Sequence, residues 1–377
     1  MAVNENTFKI VRNDITKMQC DAIVNTANVH PTVGSGCDQA IYTAAGFDQL
    51  LEYRRDKIGF VEEGGAFITP AFNLNARYII HAVSPLFIDG NWSDDSSMAL
   101  AALDSINVKG KLDAVDIMEN FAKWLYKGAY TPDGITFDEG NTCAKAIMSF
   151  AMHSDVSRCG ITGEYANGNG ALMRIMPICL YAYEQQKKDG ISDKEAIEQI
   201  HQIASLTHNH LRSNIACGLY YFMIKEIIDN KAEKSIEQCL QGGLDNGFGF
   251  YGTDVSNLTE IAHYGRLFHL DKLKTVPELE IQFSGYVVHS LEAAIWCLIQ
   301  TETFEAVLLK VVNYGDDSDT VGAIAGGLAG LYYGYKAIPG DWVNVIRRKD
   351  WIEQMVLLDF KTEVPVRQMI CGKEEDK

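Results

Sequence analysis

From about residue 91 onward, apolar residues recur at three- and four-residue spacing and almost nowhere alternate with polar ones. That period gathers them on one stripe of a helix rather than on one face of a strand. It predicts helices over 93–106, 113–126, 140–154, 171–188, 193–206, 211–229, 233–241, 256–268, 284–299, 302–312 and 320–335. Together these make one all-α domain of about ten or more helices over 91–360. The first 85 residues read differently. Short apolar runs predict strands at Phe8–Val11, Ala22–Asn25, Gly65–Thr69 and Tyr78–Val83, the last (YIIHAV) dense enough to be a central strand. Helices are expected between them, over Asp38–Ala45 and Phe47–Ile58. The expected fold class is mainly all-α, preceded by a truncated α/β segment over 1–88 and followed by a C-terminal tail over 361–377, whose end (Gly372–Lys377) is densely charged.

The helical pattern carries its most distinctive stretch at Asn313–Gly334, NYGDDSDTVGAIAGGLAGLYYG. Asp316, Asp317, Ser318, Asp319 and Thr320 open it, and Gly322, Gly326, Gly330 and Gly334 then recur every four residues. An interior helical glycine costs about 0.8–1 kcal/mol against alanine, so a face of them predicts close approach of another helix. The run is too short and too rich in tyrosine to span a membrane. Its N-terminus presents carboxylates and a hydroxyl, a hard-oxygen set suited to Mg²⁺, Mn²⁺ or Ca²⁺. By itself the same pattern equally suits an Asp-rich N-cap on a core helix.

A second acidic cluster changes that balance. Ser93, Asp94 and Asp95 stand before another apolar helical run, Met98, Leu100, Ala101 and Leu103. If the two clusters met, Asp94, Asp95, Asp317 and Asp319 would repel by several kcal/mol per close pair, on the order expected at an intermediate dielectric. Four carboxylates stay ionised together only around cations, and two divalent ions would balance them. The pattern therefore predicts a binuclear metal site holding two Mg²⁺ or Mn²⁺.

Composition narrows the class. Net charge is −17 over 377 residues, which argues against a general nucleic-acid or anionic-membrane binder. Nine scattered cysteines with no CxxC pair read as buried free thiols in a reducing cytosol. The N-terminus has no signal-peptide pattern and no apolar run of membrane-spanning length occurs, so a cytoplasmic protein is expected.

Residues 13–16 (NDIT), 21–28 (DAIVNTAN), 33–46 (VGSGCDQAIYTAAG) and 77–85 (RYIIHAVSP) resemble the first half of a macrodomain. The resemblance implies an ADP-ribose-binding fold. Asp14 would meet the adenine amino group, Asn25 and Asn28 would lie near the distal ribose, and the loop with Gly34 and Gly36 would run beside the diphosphate. A glycine loop before a helix start suits close backbone approach to a phosphate, and an ordinary strand–helix turn as well. The second half of a macrodomain does not follow.

The longer part resembles the ADP-ribosylglycohydrolase family, of the dinitrogenase-reductase-activating type, from about Trp92 to Tyr335. The resemblance rests on WSDDSSMAL (92–100), FDEGNT (137–142), NGNGALMRIMP (167–177), LTHNH (206–210), SGYVVHSLEAAIW (284–296) and GDDSDTVGAIAGGLAG (315–330), in that order. It implies a binuclear Mg²⁺ or Mn²⁺ site built from Ser93, Asp94, Asp95, Asp317, Asp319 and Thr320, with Ser93 where the family usually has threonine. It also implies hydrolysis of the glycosidic bond between C1″ of ADP-ribose and a protein side chain or related group. Such a bond breaks through an oxocarbenium-like transition state, and Asp94 or Asp317 would accept the proton of the attacking water. The expected partners are ADP-ribose or an ADP-ribosylated protein. Asn167, Gly168, Asn169 and Gly170 would cradle the diphosphate or distal ribose, or simply cap a helix. Asp138 would sit over the substrate or form an Asx turn. His208 and His210, two apart, do not share a helix face, which favours a structural histidine or a substrate contact over a metal pair. The family's usual first helix, with its acidic residue, is replaced here by the macrodomain-like piece, where Glu62 and Glu63 are the nearby acids. An ADP-ribose-binding module without turnover is the alternative reading.

Overall fold

The computed structural model describes residues 13–34, 36–62, 65–83 and 90–357. The expected strand at Phe8–Val11, Glu63 and the tail at 361–377 lie outside the described residues. The chain divides into two compact units, Met1–Ile88 and Asp89–Lys377.

In the first unit β1 (Ala22–Ala27), α1 (Cys37–Ala45), α2 (Phe47–Tyr53), β2 (Ala66–Pro70) and β3 (Tyr78–Val83) follow in order. The helix from Phe47 widens to a π turn over Arg54–Ile58. The sheet has the order β1-β3-β2, so the densest apolar strand is central. β3 runs parallel to β1 and antiparallel to β2, with Ile80 between Val24 and Ile68. Alternation sends Ile23 and Ile79 inward against Ile41, Tyr42 and Leu50 of the helices. The opposite face leaves Val24 and Ile68 more than half exposed.

The second unit is built of helices, with no strand among its described residues. Its helices are α3 (Asp94–Lys109), α4 (Ala114–Lys127), α5 (Asn141–His153), α6 (Met176–Asp189), α7 (Asp193–Ala204), α8 (Leu211–Asn230), α9 (Ile236–Gly252), α10 (Leu258–Ile261), α11 (Leu270–Leu273), α12 (Val287–Ile299), α13 (Phe304–Val312), α14 (Ser318–Tyr333), α15 (Gly340–Val345) and α16 (Lys349–Leu357). α8 and α12 are apolar nearly all round and buried along most of their length, so the others pack about them. α7 and α9 each begin with a reciprocal cap, Ser192 with Glu195 and Ser235 with Gln238. No helix among the described residues is long and apolar enough to cross a membrane.

Cys20 and Cys37 are exposed, against the expectation of buried thiols, whereas the other described cysteines are buried. Two expectations about helices also need correction. The helix expected to end at 241 runs on to Gly252, through Gly242, Gly243, Gly247 and Gly249. Packing on α8 explains it. A Cβ at Gly243 would stand 2.5 Å from Met223 Cα, and one at Gly247 2.7 Å from Leu219 Cδ2. In return, Gly218 of α8 leaves room for the buried Tyr251 hydroxyl. The glycines that locally disfavour a helix let these two approach closely, and burial of Leu240, Leu244 and Tyr251 offsets the cost. The second correction concerns the α14 ladder. α13 does lie along it, but a Cβ at Gly322 or Gly326 would meet Leu308 at 3.9 and 3.7 Å, ordinary contact distances. Gly334 belongs to the helix end instead, at φ +83°. The tight position is Gly327, off the ladder, where a Cβ would be 2.5 Å from Tyr220 Oη and 2.9 Å from Met176 Sδ.

Candidate active site

The site is assembled where two helices begin. Ser93 precedes α3, and its hydroxyl donates to Asp95 Oδ2 at 2.7 Å instead of capping the backbone. Asp94 and Asp95 occupy the first turn and are almost fully buried. At the other helix, Asp316 takes a left-handed φ of +52°, which turns the chain so that Asp317, Asp319 and Thr320 enter α14. α3 packs against α14. The two acidic clusters, 222 residues apart between Asp95 and Asp317 (317 − 95), thus face one another.

Electrostatics records that encounter. Burial, then the charges of Asp95, Asp138 and Asp319, push Asp94 up to about 8. Burial also pushes Asp95 up to about 7, opposed by the Ser93 hydroxyl and reinforced by Asp319 and Asp317. Asp317 is raised by burial too, opposed by hydrogen bonds from Asn169 and Thr320. Asp138, at φ +60°, is raised by burial and then by Asp319, with which it shares a hydrogen bond. Asp94, Asp95, Asp138 and Asp317 are thus all raised, as buried, crowded carboxylates are.

Asn169 organises the other wall. Its Nδ2 donates to Asp317 Oδ2 at 2.6 Å and to Ser290 Oγ at 2.8 Å. The turn that carries it is fixed by backbone bonds, Asn169 N to Gly285 O and Val287 N to Asn167 O, both 3.0 Å. Gly168 and Gly170 lie against the His208 ring, and a Cβ on Gly170 would come within 2.8 Å of His208 Cε1. Between these walls lies a cleft of about 230 Å³, lined by Asp94, Asp138, Gly168, Asn169, Gly170, His208, Asp317 and Thr320. Asn141, Thr142 and Cys143 at the start of α5 line it as well. These were not anticipated as contacts, although Asn141 and Thr142 end the FDEGNT stretch.

Asn167 departs from the expected contact. Its side chain turns back to Glu164 O at 2.9 Å and does not line the cleft. Glu164 is itself held by Arg212, which also binds Glu260. His210 caps α8 and leaves His208 alone at the cleft.

Among the described residues, no group of three or more His, Cys, Asp and Glu side chains is arranged to hold an ion by itself. The side chains are turned onto one another, Ser93 onto Asp95, Asp138 onto Asp319 and Asn169 onto Asp317. Asp95 Oδ1, however, is a buried acceptor with no partner, and an orphaned carboxylate oxygen among further carboxylates and two hydroxyls is what a hard divalent cation satisfies. The chemistry of the set fits such an ion.

In the first unit the expected contacts separate. Asp14 lies at the surface, where it accepts from Thr16 N at 3.0 Å and pairs with Lys17 at 3.2 Å. Asn28 is exposed and donates to Thr32. Gly34 N donates to Asp38 Oδ2 at 2.6 Å, and Gly36, at φ +66°, opens α1. Asn25 is different. It is buried, with Nδ2 bonded to Asp38 Oδ1 at 2.7 Å and to His81 Nδ1 at 3.2 Å, so its amide nitrogen is engaged inside the unit, while Oδ1 has no partner among the described residues.

Comparison with known proteins places these features. The family model for ADP-ribosylglycohydrolase matches residues 46–368. The chain belongs to the ADP-ribosylglycohydrolase family. The family match begins at Gly46, inside the first unit. The chain is 30% identical over 284 residues to ADP-ribosyl-[dinitrogen reductase] glycohydrolase of Rhodospirillum rubrum, covering 74% of this chain and 78% of that one. It is 28% identical over 267 residues to ADP-ribosylarginine hydrolase Tri1 of Serratia proteamaculans, covering 71% of this chain and 66% of that relative. A solved ADP-ribosylglycohydrolase-related protein complex superposes with a TM-score of 0.54 at 27% identity, over 72% of this chain and 81% of that chain. Separately, macro domain-containing proteins of Caldanaerobacter, Listeria and Ralstonia match segments of 92 to 110 residues at 39% to 44% identity. These segments span 52% to 62% of those proteins. The chain thus joins a macrodomain-like segment to an ADP-ribosylglycohydrolase domain.

Proposed function

We propose that the cleft between α3, α14 and the 167–170 turn hydrolyses the glycosidic bond between C1″ of ADP-ribose and a protein side chain. Arginine is the proposed linked residue, by similarity to the ADP-ribosylarginine hydrolase. The observation that carries this is the meeting of two remote acidic helix starts in one cleft with Asn169 and His208, with Asp95 Oδ1 left unpaired.

Two Mg²⁺ or Mn²⁺ ions, held by Ser93, Asp94, Asp95, Asp317, Asp319 and Thr320, would supply ribose orientation and acidify a water. The chain's own groups do the rest. The glycine turn, Gly168–Gly170, lines the cleft and lets the His208 ring pack closely behind it. Asp317 is pinned by Asn169 and acts as a fixed anion. Asp94 lines the cleft, and cations bound beside it would hold it ionised against the burial that raises it. We assign it as the proton acceptor. As water oxygen bonds to C1″, its proton passes to Asp94, the C1″–N bond breaks, and the guanidine leaves neutral or takes a proton from solvent.

The test is release of ADP-ribose from an ADP-ribosylated arginine protein, with calorimetry of ADP-ribose binding in Mg²⁺ and in EDTA. Asp317→Asn should lower turnover by more than about 100-fold, and EDTA should abolish it. Binding indifferent to both EDTA and Asp317→Asn would move the ligand to the macrodomain-like unit. That result would favour the second reading, ADP-ribose binding without turnover, which the exposed Asn28 and the Gly34–Gly36 loop support.

A further inference from the structure

Behind the cleft stands an arginine with no carboxylate partner among the described residues. Arg174 is fully buried, its Nε and Nη1 have no hydrogen-bond partner among those residues, and its guanidinium lies 4.7 Å from the Phe121 ring centroid. A buried charge with so few partners is expensive, which calls for a reason to keep it. Its one short bond runs from Nη2 to Thr207 Oγ1 at 2.7 Å. The same oxygen lies 2.9 Å from His208 Nδ1. Nε2 of that ring has no hydrogen-bond partner among the described residues and lies 3.2 Å from where a Cβ on Gly168 would be, at the cleft turn.

The donor count decides the proton positions. Arginine only donates, so it occupies a lone pair of Thr207 Oγ1. The hydroxyl keeps one proton to give, and two acceptors are in reach, His208 Nδ1 and the Cys143 thiol. Burial pushes Cys143 up to about 11, so it stays a thiol and a weak acceptor. The alternative places an N–H at Nδ1, aimed at an oxygen already facing a cation; it would fill both lone pairs with donors and leave the hydroxyl proton only the weak thiol acceptor. The adjacent guanidinium instead polarises the hydroxyl into a stronger donor. Burial and the Arg174 charge also push His208 down to about 3, so the ring carries one proton at neutral pH. With Nδ1 an acceptor, that proton is on Nε2.

We propose that Arg174 and Thr207 are positioning residues, a buried relay that locks His208 in its Nε2–H tautomer and so presents the cleft with a donor, never an acceptor. The ligand atom met there is an oxygen with free lone pairs, a diphosphate or ribose oxygen. This part rests on the ADP-ribosyl reading of the cleft, whereas the tautomer rests on the relay alone.

Long-range proton–nitrogen NMR correlation on protein carrying ¹⁵N-histidine reads the tautomer directly. His208 is assigned by the signal missing in His208→Gln. At pH 7 the wild type and Thr207→Ser should show a pyrrole-type Nε2 and a pyridine-type Nδ1. Thr207→Val should lose that preference and bind ADP-ribose about tenfold more weakly, the worth of one hydrogen bond, while Thr207→Ser keeps it. Thr207→Ala repeats the deletion should the valine variant lose its fold. A wild-type proton on Nδ1 would overturn the proposal, as would an unchanged His208 spectrum in the folded deletion variant. The expected spectra without any ADP-ribose binding in Mg²⁺ would uphold the relay and sink the ADP-ribosyl reading.

Discussion

Two adjacent glycines of α14 should respond to alanine in opposite directions. At Gly326 a Cβ would sit 3.7 Å from both Leu308 methyls, in ordinary contact with nothing to displace. Replacing it removes the helical penalty of glycine, about 0.8–1 kcal/mol, and adds a little apolar contact. Gly326→Ala should therefore stabilise the protein by about 1 kcal/mol, roughly 2 °C in Tm for a unit of this size. At Gly327 the Cβ would meet Tyr220 Oη at 2.5 Å and Met176 Sδ at 2.9 Å. The methionine can swing aside, but Tyr220 is buried and donates to Ile324 O at 3.0 Å, within the same helix it would be pushed from. Overpacking costs about 1–3 kcal/mol and the strained buried hydrogen bond about 1 more, against the same 0.8–1 gained in helix propensity. Gly327→Ala should thus destabilise by about 1–3 kcal/mol. Thermal melts of both variants, in one buffer with fixed Mg²⁺, measure the difference. A melting temperature for Gly326→Ala below wild type, or for Gly327→Ala at or above it, would refute the packing derived for α14.

Acidity supplies a second prediction. Asp94 and Asp95, at about 8 and 7, hold protons in the folded state that the unfolded chain releases from about pH 4 upward. Folded groups that bind more protons lose stability as pH rises. In EDTA the Tm should fall between pH 5 and 8, and Asp94→Asn should flatten that slope; a slope identical to wild type would exclude Asp94 as its source. Added Mg²⁺ or Mn²⁺ should raise Tm more at pH 8 than at pH 5, because protons compete for the same carboxylates; equal increments at both pH values would count against the metal assignment. Gly170→Ala drives a methyl toward His208 Cε1 and Cys143 Sγ, 2.8 and 2.9 Å away. Calorimetry should show ADP-ribose binding weakened by at least about tenfold, and unaltered affinity would remove the 168–170 turn from the ligand site.

Much of this protein was legible along the chain. The helical period over 91–335, the strand at Tyr78–Val83 and the breaks between them are local properties, set by which residues recur on one side of a backbone period. The two acidic helix starts also stand out along the chain, and the family resemblance implies that they share a site. Charge adds the condition that, once neighbours, Asp94, Asp95, Asp317 and Asp319 stay ionised only around cations. What the one-dimensional pattern could not carry was the meaning of its glycines and of its inward polar groups. Gly326 and Gly327 are equivalent in sequence, and only Tyr220, 107 residues away (327 − 220), makes one of them indispensable. Gly242–Gly252 reads as a helix breaker until α8 lies against it. Asn25 and Asn167 read as ligand contacts, yet Asp38 and Glu164 O claim their amides. Arg174 passes as one polar position in a helix-start motif, and only the folded core sets it on Thr207 and, through it, on His208. Period is fixed by neighbours within a turn or two, whereas close approach and hydrogen-bond partnership are fixed by side chains that meet only after the helices pack.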